Sequence, residues 1–326
     1  MHEHNEKVNA LVDPVKLPKM AQVRQIFEAS ELEDAAAVLH AELNREAICQ
    51  TVKPGMSICV TAGSRGICHI DLLIRETVAF LKALGAKPFI IPAMGSHGGA
   101  VAEGQKAILE GFGITEETMG CPIRASMEVV QFSQLEDGTP CYIDRYAHEA
   151  DGIVVINRVK PHTGFRGRYE SGLFKMMCIG LGKQKGAETV HNRGRRRMGE
   201  SIELIGNQFI EKEKILFGVA ILENAFDRTY ALAALLPDEI REKEPDMLIQ
   251  ARSLMPRKIW MCWSLTISVR TSAERAWTPI SPSRFHWNPV SAAKDGRKKS
   301  PCWISLSRAT VGGRLGRGRY HDAQNV

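Results

Sequence analysis

Several residues able to do chemistry stand on glycine-rich stretches of this 326-residue chain. His97 lies inside GSHGG (residues 95–99), and His162 follows Pro161 in a Lys-Pro-His string. Lys175 interrupts the apolar run GLFKMMCIGLG, and His191 lies sixteen residues beyond it. Ser64 and Arg65 belong to the stretch TAGSRG. Imidazole exchanges protons near neutral pH. A lysine among apolar neighbours loses hydration and gains nucleophilicity. A serine and an arginine at a helix start, with its backbone N–H groups, suit a phosphate. Each has a plain alternative. A structural role competes for either of the first two histidines, although His97 between glycines has little chance to pack as core, and Arg65 reads equally as a solvated turn residue. Lys175 can snorkel to water, and His191 reads as a helix cap or surface residue. Lys183 and Lys185 read as ordinary solvated charges. No HExxH or Cys/His cluster marks a zinc site. Imidazole also suits nickel, which spacing alone does not establish.

The positioning elements follow from periodicity. SICVTAG is a short apolar strand, and HIDLLIRETVAFLKALG has helical spacing with a stop at Gly85. AKPFIIPAMG is a second strand, GSHGG its exit loop, and AVAEGQKAILEGFG a second helix. Residues 151–162 read as a third strand carrying Lys160 and His162 to its end. A helix through RRRMGESIELIGNQFIEKEK and a strand KILFGVAILEN follow, with His191 near the start of that helix. The alternation predicts an α/β fold, a parallel sheet with helices on both faces. Ligands of such sheets bind at the carboxyl ends of strands, where the polar loops fall.

Composition limits the function classes. No stretch is apolar enough to span a membrane, and MHEHNEKVNALVDPVK lacks the apolar core of a secretory signal. Eight scattered cysteines with no CxxC pair read as reduced thiols in a cytoplasmic protein. The net charge of +6 is local: residues 258–326 hold twelve Lys/Arg against three Asp/Glu, leaving the body at −3. That discounts a nucleic-acid partner. All five tryptophans also fall after Arg257, in a stretch without periodicity. Written as codons and shifted by one base, Thr271–Ser281 gives N-I-S-G-A-G-M-D-P-N-I, and flanking segments give strand and turn patterns. The reading expects the native frame to be lost between about Pro256 and Ile259. It divides the chain into an α/β cofactor- and substrate-binding domain, 1–257, and an out-of-frame or disordered basic tail, 258–326.

The GSHGG histidine, the Lys-Pro-His histidine, the glycine-flanked lysine and the histidine sixteen residues later resemble the nickel-pincer lactate racemase family. The resemblance covers approximately Ser57 to Met255, and the shifted string is similar to the family's second domain, largely lost here. It implies a racemase or epimerase of 2-hydroxy acids, an isomerase. It also implies a nickel-pincer mononucleotide (nickel(II) pyridinium bisthiocarboxylate mononucleotide) joined to Lys175. It makes His191 the nickel ligand, His97 and His162 the catalytic pair, and Arg65, with Ser64, the hold on the cofactor phosphate. The partners implied are a small-molecule 2-hydroxy acid and cofactor maturation proteins. The reaction logic agrees: a proton is hard to remove beside a carboxylate, whereas hydride removal to an electron-poor cofactor avoids a carbanion. A base must then take the hydroxyl proton, and two histidines serve two enantiomers. Two departures point to a divergent branch: Ala62 stands where the best-known members carry an acidic residue, and the His162-to-Lys175 spacing is longer. The substrate therefore need not be lactate, and without the second domain activity is expected to be impaired. An oxidoreductase using a free nucleotide such as NAD, and a non-catalytic ligand-binding relative, remain alternatives.

Overall fold

The computed structural model describes residues 26–255. The expectations for residues 258–326, the altered reading frame included, lie outside the described residues. Five strands form the main sheet in the order β2-β1-β5-β6-β7: β1 Ser57–Ala62, β2 Lys87–Pro92, β5 Gly152–Arg158, β6 Ile215–Glu223 and β7 Thr229–Leu235. β1 pairs in parallel with β2 from Ser57↔Lys87 to Ala62↔Pro92, and with β5 from Ile58↔Gly152. β5 and β6 are also parallel, whereas β7 returns antiparallel on β6. A separate hairpin pairs β3 Val129–Gln134 with β4 Pro140–Asp144.

Side chains alternate across each strand, and here both faces are apolar. Ile58, Val60, Val154 and Ile156 enter one core, while Cys59, Ile153 and Val155 enter the other. A sheet buried on both faces needs helices on both. The helices α1 Ala35–Leu43, α2 Ile70–Ala83 and α3 Ala102–Gly111 cover the first core through Leu39, Leu73, Ile74 and Leu109. Helix α4 Lys183–Asn192 contributes Val190 to the second core; α5 Met198–Lys212 and α6 Pro237–Leu254 contribute Ile202, Phe209, Ile240 and Leu248. The sheet is thus mixed and mainly parallel, in an α/β fold with helices on both faces. Helix α2 stops where the sequence reading puts it: Gly85 takes φ +80, the left-handed conformation that closes helices.

The third strand is shorter than the pattern predicts, ending at Arg158 and not at His162. Pro161 has no N–H to give a ladder, and the chain leaves the sheet with one antiparallel bridge between Lys160 and Ser171. His191 lies in the last turn of α4, not near the start of the next helix, because Gly194 at φ +90 separates the two. Leu173–Lys175 runs directly into a π-helical turn, Met176–Leu181. Such wide turns are uncommon and concentrate at functional sites.

The second core packs directly beneath Lys175. A Cβ on Gly206 in α5 would stand 2.2 Å from the Phe174 ring. Gly206→Ala is expected to cost about 1–3 kcal/mol through overpacking, lowering the thermal midpoint roughly 2–4 °C per kcal/mol. An unchanged melting curve would mean that the two elements do not meet this closely.

Candidate functional site

Parallel strands end on the same side, so the exits of β1, β2 and β5 share one edge. The β1 exit carries Gly63, Ser64 and Arg65. A Cβ on Gly63 would lie 3.0 Å from Met176 Cε, so this loop packs on the π-helical turn. Cys68 N–H donates to Glu223 at 2.6 Å, tying the loop to β6, and Glu223 also pairs with the buried Arg158. The Ser64 hydroxyl shares a short hydrogen bond with His97 Nδ1. That contact joins the first two loops and leaves His97 Nε2 as the nitrogen turned to other partners. His97 keeps solvent access. Partial desolvation still lowers its pKa, and the charges of Arg65 and Lys175 act in the same direction.

His162 is more confined. Its backbone N–H donates to the buried Glu170 at 2.5 Å, and Glu170 is held in turn by Arg252 of α6 at 2.6 Å. Gly164 N–H donates to His162 Nδ1 at 3.0 Å, so the neutral ring carries its proton on Nε2. Burial pushes its pKa down to about 3, helped by Lys175, Lys160, Arg166 and Arg195. The ring lies 4.2 Å from that of Phe165, and Lys175 Nζ stands 6.0 Å from the same Phe165 ring. One aromatic side chain therefore borders both the imidazole and the amine. Lys175 itself is pushed down to about 8, mainly by burial and also by Arg65, against opposing effects of Cys178 and Glu170. An amine in this range is neutral in part near pH 7, as a nucleophile requires.

His97, His162, Lys175, Arg65 and Ser64 are thus brought to one edge. His191 is placed less directly. Its side chain is exposed and has no hydrogen-bond partner among the described residues. Ala187, one turn earlier on the same helix face, packs 3.7 Å from where a Gly95 Cβ would stand. Arg195, just beyond, donates from Nε to Gly164 O at 3.1 Å. His191 therefore lies between segments that touch the His97 loop and the His162 loop. Among the described residues no group of three or more His, Cys, Asp or Glu is arranged to hold a metal ion.

Lys183 corrects the sequence reading outright. It is fully buried, paired with the buried Asp144 at 3.1 Å, and is no solvated charge. Sequence reasoning also missed Glu170 and Glu244. Glu244, in α6, accepts from Phe174 N–H at 3.1 Å, and a Cβ on Gly172 would fall 2.0 Å from its Oε1. The carboxyl thus occupies the space next to the backbone that leads into Lys175, and a side chain at 172 would have to displace it. Glu244 sits among charged surface residues in sequence, and its sole local hint is an i, i+4 register with Ile240 and Leu248.

The profile of the lactate racemase N-terminal domain matches residues 5–201. Among solved structures, the lactate racemase apoprotein from Thermoanaerobacterium thermosaccharolyticum is similar at 12% identity, with a TM-score of 0.49. That match covers 69% of this chain and 57% of that one. No curated protein sequence matches the chain. Among the described residues no helix is long and apolar enough to cross a membrane.

Burial raises the Glu244 pKa from its ordinary 4.5 to about 8, so the folded chain holds a proton that the unfolded chain has released. Stability is therefore lost as pH rises from about 4.5 toward 8. Glu244→Gln, neutral throughout, is expected to flatten that part of the stability–pH curve in denaturant titrations. Equal slopes for variant and parent would contradict the assignment.

Proposed function

Because the chain belongs to the lactate racemase N-terminal domain family, we propose that it inverts the hydroxyl-bearing carbon of a 2-hydroxy acid, with Lys175 carrying a nickel-pincer mononucleotide. The observation that carries this reading is the meeting of His162 and Lys175 at Phe165, with His97 and Arg65 electrostatically coupled to the same amine.

The residues fit such a group. The half-buried amine of Lys175 suits acylation, because burial keeps part of it uncharged. The Arg65 guanidinium suits a phosphate by charge and by its planar donors, with Ser64 beside it. The exposed imidazole of His191 is a ligand type that nickel accepts. When bound, the cofactor supplies an electron-poor ring able to take up the substrate hydrogen as hydride.

The chain's own side chains manage the hydroxyl proton. With Nδ1 engaged by Ser64, His97 offers Nε2 to a substrate hydroxyl. Its lowered pKa keeps the ring neutral at pH 7 and able to accept. His162 presents Nε2–H, a donor toward the oxygen of the hydroxy or keto acid, and accepts a proton there only after its tautomer changes. The cations around His162 suit the substrate carboxylate. Loss of the C–H hydrogen and the hydroxyl proton leaves a 2-keto acid. Return of both, with the hydrogen on the opposite face, gives the other enantiomer. The division at 257, a cytoplasmic setting, dependence on maturation proteins and impaired activity of the out-of-frame chain belong to the same proposal.

Produced in cells with the cofactor-making proteins, frame-restored protein is expected to carry nickel, and its Lys175 peptide a mass increment of mononucleotide size. Chiral chromatography across 2-hydroxy acids then shows inversion. His97→Ala should lower kcat by about 10²–10⁴-fold, and His191→Ala should lose nickel while keeping the increment. An unmodified Lys175 in matured protein would overturn the covalent assignment.

A further inference from the structure

We propose that Asp144, Lys183 and Gln105 form a buried polar strut that positions the His97 loop. Lys183 and Gln105 are fully buried, as is Asp144. Lys183 Nζ meets three oxygens in one place: it pairs with Asp144 at 3.1 Å, donates to Pro92 O, and faces Gln105 Oε1 at 3.4 Å. Pro92 is the last residue of β2, where the His97 loop springs. The Gln105 amide nitrogen then spends both hydrogens on that loop, donating to Gly95 O at 2.9 Å and to His97 O at 3.1 Å.

The order of charges along this chain has a directional consequence. An ammonium at the Gln105 oxygen excludes the flipped amide, which would set NH₂ against NH₃⁺. Lys183 therefore fixes which end of Gln105 meets the loop. Burial lowers the Lys183 pKa, and Asp144 opposes that shift and holds the ammonium in place, while its other oxygen accepts from Ala147 N–H at 3.1 Å. The loop also sits tightly on the first turn of α3: a Cβ on Gly98 would lie 2.7 Å from Gln105 N, and one on Gly104 2.1 Å from Gly98 O.

Stability alone is a poor reason for this arrangement. Buried ion pairs seldom outperform apolar residues of similar volume, and Lys183 further holds a left-handed φ of +54, which costs a non-glycine residue. Position explains it better. Lys183 lies between Lys175 and His191 in the chain, so the strut registers the His97 loop against the segment bearing both. The inference rests on the proposed role of His97 for its chemical meaning, but its geometry can be tested without any catalytic assay.

The test uses full-length protein with ¹⁵N-labelled histidine and two variants. Gln105→Leu keeps approximate volume and removes both donors. The double variant Asp144→Asn, Lys183→Met removes the charges together, so no lone buried charge is left. Each is expected to keep the parent circular dichroism while the His97 ring signals move, its titration midpoint rises toward that of free histidine, and amide exchange across residues 95–99 quickens by about tenfold or more. Leu39→Ala, in α1 and away from the loop, serves as a destabilised control and should leave His97 unchanged. The strut is overturned if the folded variants keep the parent His97 signals and exchange, or if Leu39→Ala alters them as much. Should Gln105→Leu fail to fold, the double variant decides.

Discussion

Lys175 brings a positive charge into a half-buried place where, among the described residues, no carboxylate stands within ion-pairing distance. Two imidazoles on neighbouring loops feel that charge. Lys175 is the largest charge effect holding down His162, and with Arg65 it lowers His97. Amine and imidazoles therefore act as one electrostatic unit. Converting the amine to an amide would remove its charge and return both histidines toward the range in which imidazole exchanges protons. On the proposed function, modification of Lys175 is thereby linked to the readiness of the two proton carriers.

The surrounding fold exists to hold that unit. Three parallel strands release their chains at one edge, and the loops there are tied down from beneath by buried polar groups. Glu223 holds the first loop through Cys68, Gln105 holds the second, and Glu170 holds the third at His162 N–H. Glu244 supports the turn that leads into Lys175. Helix α6 supplies both Glu244 and Arg252, the partner of Glu170, although it lies beyond the stretch that matches the family profile. The mixed use of glycine and buried carboxyl groups follows from close approach: Gly172 leaves room for Glu244, and Gly98 for the first turn of α3.

Much of this was legible in the residues because its signals are local. Short apolar runs and helical apolar periods marked β1, α2, β2 and α3 in order, and glycine marked the stop at Gly85. Histidine, lysine and arginine on glycine-rich strand exits pointed to one edge, since parallel strands share a direction. What escaped depends on tertiary partners. Lys183 looks solvated in GKQKG because nothing nearby in sequence reveals Asp144, 39 positions earlier, or Gln105, 78 positions earlier. Strand β7 and the β3–β4 hairpin are partly exposed and carry mixed patterns, so their period is weak. The helical position of His191 turned on Gly194, whose left-handed conformation ends α4 before an arginine run that reads as continuous helix.

The coupling between residue 175 and the imidazoles of His97 and His162 is the interaction to measure first. Nuclear magnetic resonance titration of ¹⁵N-histidine-labelled protein, with and without Lys175→Met, measures it. Removing a nearby positive charge favours the imidazolium form. Both His97 and His162 are therefore expected to shift to higher midpoints, with His162 rising from about 3. Midpoints that stay where they were would mean that the amine does not face these rings.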